Sequence, residues 1–260
     1  MIASLRAETL KSRKRWGNWI LFLILLAILV LFSYVIPYLV FTHPPRRLES
    51  PVPPAVLKRE TFPENLIPSV LMSMSTFGAA IMIIFGSLST ASEYGWLSVQ
   101  TILVQKPGRS AVLLGKLLNL AFTTLLITAA VMIVGAVTAY IVVRIDGSSS
   151  SWPATIDLVK AFGALWLQLA VWTGFGMFLG IALRSTAGAI GGGLIYLLVG
   201  ETVLGQLFRD TDIVKEVLKF LPGVNARGVD AVFPFTFRNP AALAPLVSAG
   251  RGVVTLAVYL

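Results

Sequence analysis

Gly115-Lys116 is the pair that most invites a chemical reading, because phosphate-binding loops end in Gly-Lys within the pattern G-x-x-x-x-G-K-[ST] on a strand-to-helix turn. Between Gly108 and Gly115, however, stand six residues where that pattern has four. Leu117 also occupies the place of the magnesium-binding hydroxyl, and the stretch that follows is apolar enough to enter a membrane. Nucleotide binding by this chain is therefore not expected. His43 is the one histidine and cysteine is absent, so a His-based or thiolate metal site within one chain is ruled out. No Ser-His-acid or paired-acid set can be drawn either, and no catalytic residue is predicted.

Three other residues are candidates for a gate or a substrate path: Glu201, Met74 and Phe77. Intramembrane ionisable groups point to ion or substrate pathways, and Glu201 is the one such group in its apolar run, about 15 residues and hence roughly 22 Å from the inner end. The plainer expectation for it is a position near the interface, paired with a base such as Arg209. Met74 and Phe77, with Met72, Met82 and Phe85, either line an adaptable apolar groove or face lipid and neighbouring helices.

The elements that must position these residues are membrane helices. Of 260 residues 56% are hydrophobic and 13% charged, outside the range of soluble domains. A hydrocarbon core about 30 Å thick needs roughly 20 apolar residues per helix. The sequence offers five such runs and the start of a sixth, so the expected fold is all-α, one polytopic domain over residues 1–260 with six spans, the sixth incomplete. The formal charge of +9 sits at the ends of apolar runs rather than among aromatics on a soluble face, which favours anionic lipid headgroups over nucleic acid as counter-charge.

Along the chain, residues 1–15 place Ile2, Leu5 and Thr9 on one helical face with Arg6, Lys11, Arg13, Lys14 and Arg15 before the first span, the pattern of a helix lying on the inner leaflet. The run from Trp16 to Phe41 is too long for a signal-peptide core and is taken as a retained span, with Trp16 and Trp19 at the interface. Segment 42–67, rich in proline, reads as an outer loop. Further spans are expected over about 68–91, 112–143, 155–183 and 187–208, with Arg184, Ser185 and Thr186 as a tight connection. Segment 209–249 is a second outer stretch, in which Ile213, Val217 and Leu221 share a face. The run 252–260 is too short to cross and is read as the beginning of a sixth span. Gly188, Gly191, Gly192 and Gly193 open the fifth span and suit close helix packing, including a dimer seam. Five basic residues just before the first span put the N-terminus on the cytoplasmic side of the plasma membrane.

Segment 92–110 is polar between two oily runs. From Glu93 to Gln105, Trp96, Val99, Ile102 and Leu103 recur at helical spacing opposite Ser98, Thr101 and Gln105, and Lys106-Pro107-Gly108 ends the helix. On its own this is an interfacial turn or a docking element. An acid, an aromatic-Gly pair, a hydrophobic stretch, a proline, an arginine two residues on and a Gly-Lys before the next span (Glu93, Tyr94, Gly95, Leu103, Pro107, Arg109, Gly115 and Lys116) together resemble the permease subunits of type-2 ABC transporters. One departure is Trp96, where that family more often carries a small hydroxyl residue.

The resemblance implies that segment 92–110 is a coupling helix seated in a cleft of a cytoplasmic ABC ATPase. Glu93, Tyr94, Gly95, Trp96, Val99, Leu103, Pro107 and Arg109 would then be its coupling residues. It implies that ATP and magnesium are held by the partner and no cofactor by this chain. It further implies that a second permease copy or paralogue completes the path, that the direction is export, and that the segment DIVKEVLKFLPGVNARGVD forms short outer helices capping the path. The contrasting expectation is an ATP-independent membrane protein: a secondary transporter, channel subunit or scaffold.

Overall fold

The computed structural model describes residues 2–42, 58–95, 109–203, 216–234 and 245–260. The described chain is all-helical, without a strand. Helix α1 (Ile2–Lys14) meets α2 at Arg15, whose extended backbone bends the chain. Helix α2 covers Trp16–Thr42, with a π turn at Leu31–Val35. Proline at 37 cannot donate to the carbonyl of Ser33 and crowds it, so the wider turn falls where the α ladder has lost a rung.

Two 3₁₀ turns, Arg59–Thr61 and Pro63–Asn65, lead into α3, which runs as Leu66–Ser73, a π turn Met74–Gly78, and Ala79–Gly95. Helix α4 is Arg109–Asp146, α5 is Thr155–Leu183, and α6 is Thr186–Ile195 with a π continuation Tyr196–Val203. Two short helices follow among the described residues, α7 (Pro222–Asp230) and α8 (Ala249–Val258).

Among the described residues, four helices are long and apolar enough to cross a bilayer: Trp16–Thr42, Pro63–Ser92, Val112–Asp146 and Thr155–Leu183. The membrane character predicted from composition therefore stands, whereas six spans are not established. The apolar helix Thr186–Glu201 is shorter, and the rest of the expected fifth span, from 204 on, lies outside the described residues.

The tightest packing joins α3 to α5. A Cβ added to Gly86 would sit 2.0 Å from the Thr173 carbonyl oxygen, one on Gly176 2.2 Å from that of Ile83, and one on Gly180 2.1 Å from the Thr90 hydroxyl. Only glycine lets the backbones touch here, and small residues are the means of close approach where lipid removes the hydrophobic drive between helices. The hydroxyls of Ser87 and Thr90 then donate across the seam to the carbonyls of Gly176 (3.1 Å) and Met177 (3.3 Å). Of the glycines expected to pack the fifth span, Gly193 does so against Ile83, while Gly191 has nothing near it. Arg184 takes the left-handed conformation (φ 50) that reverses the chain, and Ser185 caps α6 by accepting the Gly188 N–H at 3.2 Å.

Residues 93–95 continue the α3 ladder that runs from Ala79 to Gly95, and the rest of the expected coupling helix lies outside the described residues. Two sequence expectations change. On α1 the inward face holds Leu5 and Glu8 while Thr9 is exposed, its hydroxyl turned back to the Leu5 carbonyl. In segment 216–221 Val217 is 62% exposed and Leu218 is buried against Val224 and Val247. The helix described there gives way to a turn at 219–220, ahead of Pro222, so a 3.6-residue period cannot be carried through from Val217 to Leu221.

Candidate functional site

Two of the polar clusters among the described residues tie other elements to α3, one near its end and one at its π turn. The first gathers at the α1 end. Lys116, 5% exposed, donates to the Ser89 carbonyl at 3.1 Å and faces the Glu8 carboxylate at 3.8 Å. Arg15 donates to the Leu88 carbonyl at 3.0 Å and to the Ser92 hydroxyl at 2.5 Å. A buried ammonium needs a counter-charge and acceptors, and these come from the end of α3 and from α1. The Gly-Lys pair thus serves as a structural tie between three helices.

Of the predicted coupling residues, Glu93, Tyr94 and Gly95 lie in α3 and Arg109 lies in α4. Trp96, Val99, Leu103 and Pro107 lie outside the described residues. The tied junction therefore flanks segment 96–108 on both sides.

The second cluster holds α7 at both ends. At its N-terminus the Glu201 carboxylate accepts the Gly223 N–H at 3.0 Å and the Tyr196 hydroxyl at 3.1 Å. A carboxylate suits this place because the first N–H groups of a helix lack intrahelical partners and carry its positive dipole end. Glu201 is 2% exposed; Arg209, the base the plainer expectation pairs it with, is outside the described residues. At the C-terminus of α7, Asp230 accepts from the Ser75 hydroxyl at 2.5 Å and from the Gln168 amide at 2.6 Å. Ser75 and Gln168 are themselves 3.1 Å apart. Ser75 lies on the π turn of α3, a feature frequent at functional sites. Burial pushes the Asp230 carboxyl up to about 6, against the two hydrogen bonds and the charge of Arg227 that favour ionisation.

Helices α7 and α8 pack against each other through Gly252 on the Asn225 carbonyl, and Gly228 of α7 packs on Val247 just before α8. They bury Ala226, Val229 and Leu256 on Val171 of α5. Beside them opens a cavity of about 690 Å³ lined by Phe175, Phe178, Tyr196, Val217, Phe220 and Tyr259 among others. Met74 and Phe77 are not on its wall. Met74 is buried in the core, and the Phe77 ring lies 4.7 Å from that of Phe32. Among the described residues no group of acids and histidine could hold a metal ion.

Sequence reasoning missed Ser75, Gln168 and Asp230. The available signal was Gln168, the one amide in α5, since amides within a span call for partners as ionisable groups do. Asp230 is hidden in a segment expected to lie outside the bundle, and its contact with Ser75 and Gln168 is a tertiary event.

Comparison with curated proteins gives no match, and none is found among solved structures. Residues 61–230 match a family described as "Protein of unknown function (DUF2705)". That stretch contains Ser75, Lys116, Gln168, Glu201 and Asp230 and spans more than half of the chain. The chain is therefore a member of the DUF2705 family.

Proposed function

We propose that this protein is the membrane-spanning permease subunit of an ABC exporter, driven by a separate cytoplasmic ATPase that docks on residues 93–109. The observation that carries this reading is the junction of Glu8, Arg15 and Lys116 with the end of α3. Segment 96–108 leaves one helix of this junction and returns to another, so a push on it would move α1, α3 and α4 together. Helix α3 also bears Ser75, so the same displacement would reach the Asp230 contact that holds α7. The resemblance of Glu93 to Lys116 to type-2 permeases supports the same assignment. ATP and magnesium would reside on the partner, and the outward Gly191 face would meet a second permease copy or paralogue. The plasma membrane with a cytoplasmic N-terminus is the location that fits this role.

The test is co-expression with the ATPase subunit encoded beside it, scoring co-purification and ATP hydrolysis. Glu93→Ala and Trp96→Ala should lower both by at least about tenfold, the loss of one or two buried anchors at an interface. Absence of any ATPase subunit bound to the wild-type chain removes the permease reading. Binding that survives deletion of residues 93–106 removes the coupling assignment alone.

A second reading has one observation in its favour: Asp230 joins Glu201 as a second buried acid, and proton-coupled transporters rely on such groups. Transport that proceeds without an ATPase and collapses with the proton gradient would favour it.

A further inference from the structure

The outward face of α1 carries Arg6, Arg13 and Lys14, all exposed, with exposed Leu10 among them. Glu8 is the one acid in residues 1–15, and it is turned inward to Lys116 and Lys11. Arg15 is likewise drawn inward, to Leu88 and Ser92. The outward face is therefore left with three positive charges and no acid of its own helix.

Its depth is fixed by α2. The Trp19 indole N–H donates to the Arg13 carbonyl at 2.9 Å, and the Asn18 amide donates to the Ser12 carbonyl at 2.9 Å, which hold the two helices at a set angle. Trp19 heads an exposed stripe that continues through Ile20, Leu23 and Ile24, and Trp16 beside it is 82% exposed. An apolar stripe of this kind on a span faces lipid tails, and tryptophan marks the headgroup boundary. Arg13 lies directly at the end of that stripe, so the cationic face stands at headgroup level.

We infer that Arg6, Arg13 and Lys14 form a binding site for the phosphate headgroups of anionic lipids, with Trp16 and Trp19 as its apolar floor. The site would seat α1, and through Glu8 and Lys116 would steady the start of α4. It depends on the bilayer and not on an ATPase, so the two proposals can fail separately.

The chain has no cysteine, so Leu10→Cys gives a single position for a fluorophore in the full chain, purified without partners and reconstituted in phosphatidylcholine vesicles. Quenching by spin-labelled phosphatidylglycerol is compared with quenching by spin-labelled phosphatidylcholine. A basic residue near an anionic surface contributes on the order of fivefold, so the glycerol lipid should be favoured by at least about tenfold. The preference should shrink as salt is raised. It should fall to about onefold in Arg6→Gln/Arg13→Gln/Lys14→Gln, and persist in Arg6→Lys/Arg13→Lys, since a headgroup phosphate accepts either cation. Lys160→Gln, remote on α5, should leave it unchanged. Equal quenching by the two lipids in the wild type overturns the site, and so does a preference that survives the triple substitution. Competition by millimolar inorganic phosphate would assign the face to free phosphate and overturn the lipid assignment. Should the triple variant fail to fold, the salt series on the wild type decides: a preference indifferent to salt overturns the site.

Discussion

Ser75 and Asp230, 155 residues apart in the sequence, meet hydroxyl to carboxylate at 2.5 Å. One lies on the π turn of a membrane helix and the other at the last residue of a short helix that folds back onto it. Gln168 closes the triangle from α5, so the position of α7 reports on two spans at once. Each polar atom in this contact has its partner inside the cluster, and the cost of disturbing it follows from that closure.

Asp230→Ala should destabilise the protein by about 1–3 kcal/mol, because it strands the Gln168 amide and the Ser75 hydroxyl in a buried site. Ser75→Ala should cost less, about 1 kcal/mol, since Gln168 still satisfies the carboxylate. In a double-mutant cycle the two changes should be clearly non-additive. Thermal unfolding in detergent measures all three.

Acidification should stabilise the folded state, because burial disfavours the charged form of Asp230. The folded-state carboxyl of Asp230 titrates near 6 and its ordinary value is 3.8. Between these values the folded state holds more protons than the unfolded one, so stability falls as pH rises through that window. Relative to Asp230→Asn, which cannot titrate, the wild type should gain melting temperature as pH is lowered from 7.5 to 4.5. A flat difference across the range would contradict the assignment.

Lys116 and Glu8 should behave as one unit. Glu8→Gln removes a counter-charge from a buried ammonium and should cost about 1–3 kcal/mol. Lys116→Met fills the same volume without a charge and should be milder, and the pair of changes should cost less than their sum. Neither should alter nucleotide binding by the isolated chain. Unfolding curves and a fluorescent nucleotide titration check these outcomes.

Glycines sort by what surrounds them. Gly86→Ala and Gly176→Ala place a methyl group on a facing backbone and should each cost about 1–3 kcal/mol or more through forced separation of α3 and α5. Gly191 has open space around it, so Gly191→Ala should leave the monomer as stable or slightly more so. If a second copy packs on this face, Gly191→Leu should reduce the dimer fraction in chemical cross-linking while leaving the unfolding temperature of the monomer unchanged.

The membrane-helix character, four of the spans and the turn at Arg184 to Thr186 were legible in the sequence, because each depends on local runs: about 20 apolar residues suffice for a span, and a short polar break for a hairpin. Segment 155–183 was placed with the bounds observed, since Pro153 precedes it and Arg184 ends it. The direction of each helix face was less legible. Residue periodicity names Val217 where Leu218 is buried, and Thr9 where the packed acid is Glu8, because these short segments pack through an ion pair and a turn rather than through one apolar stripe.

Tertiary structure alone decided the polar contacts. Nothing near Lys116 in sequence foretells its tie to Glu8, and nothing near Asp230 foretells Ser75 and Gln168. Such pairings arise when desolvated groups find partners brought up by helix packing, and that packing was set by Gly86, Gly176 and Gly180 through backbone approach. The sequence by itself determined that this chain enters a membrane and where its long helices run. Which buried charges face one another was left to the geometry of their crossing, since a partner for a buried charge is a property of three-dimensional neighbours and not of sequence spacing.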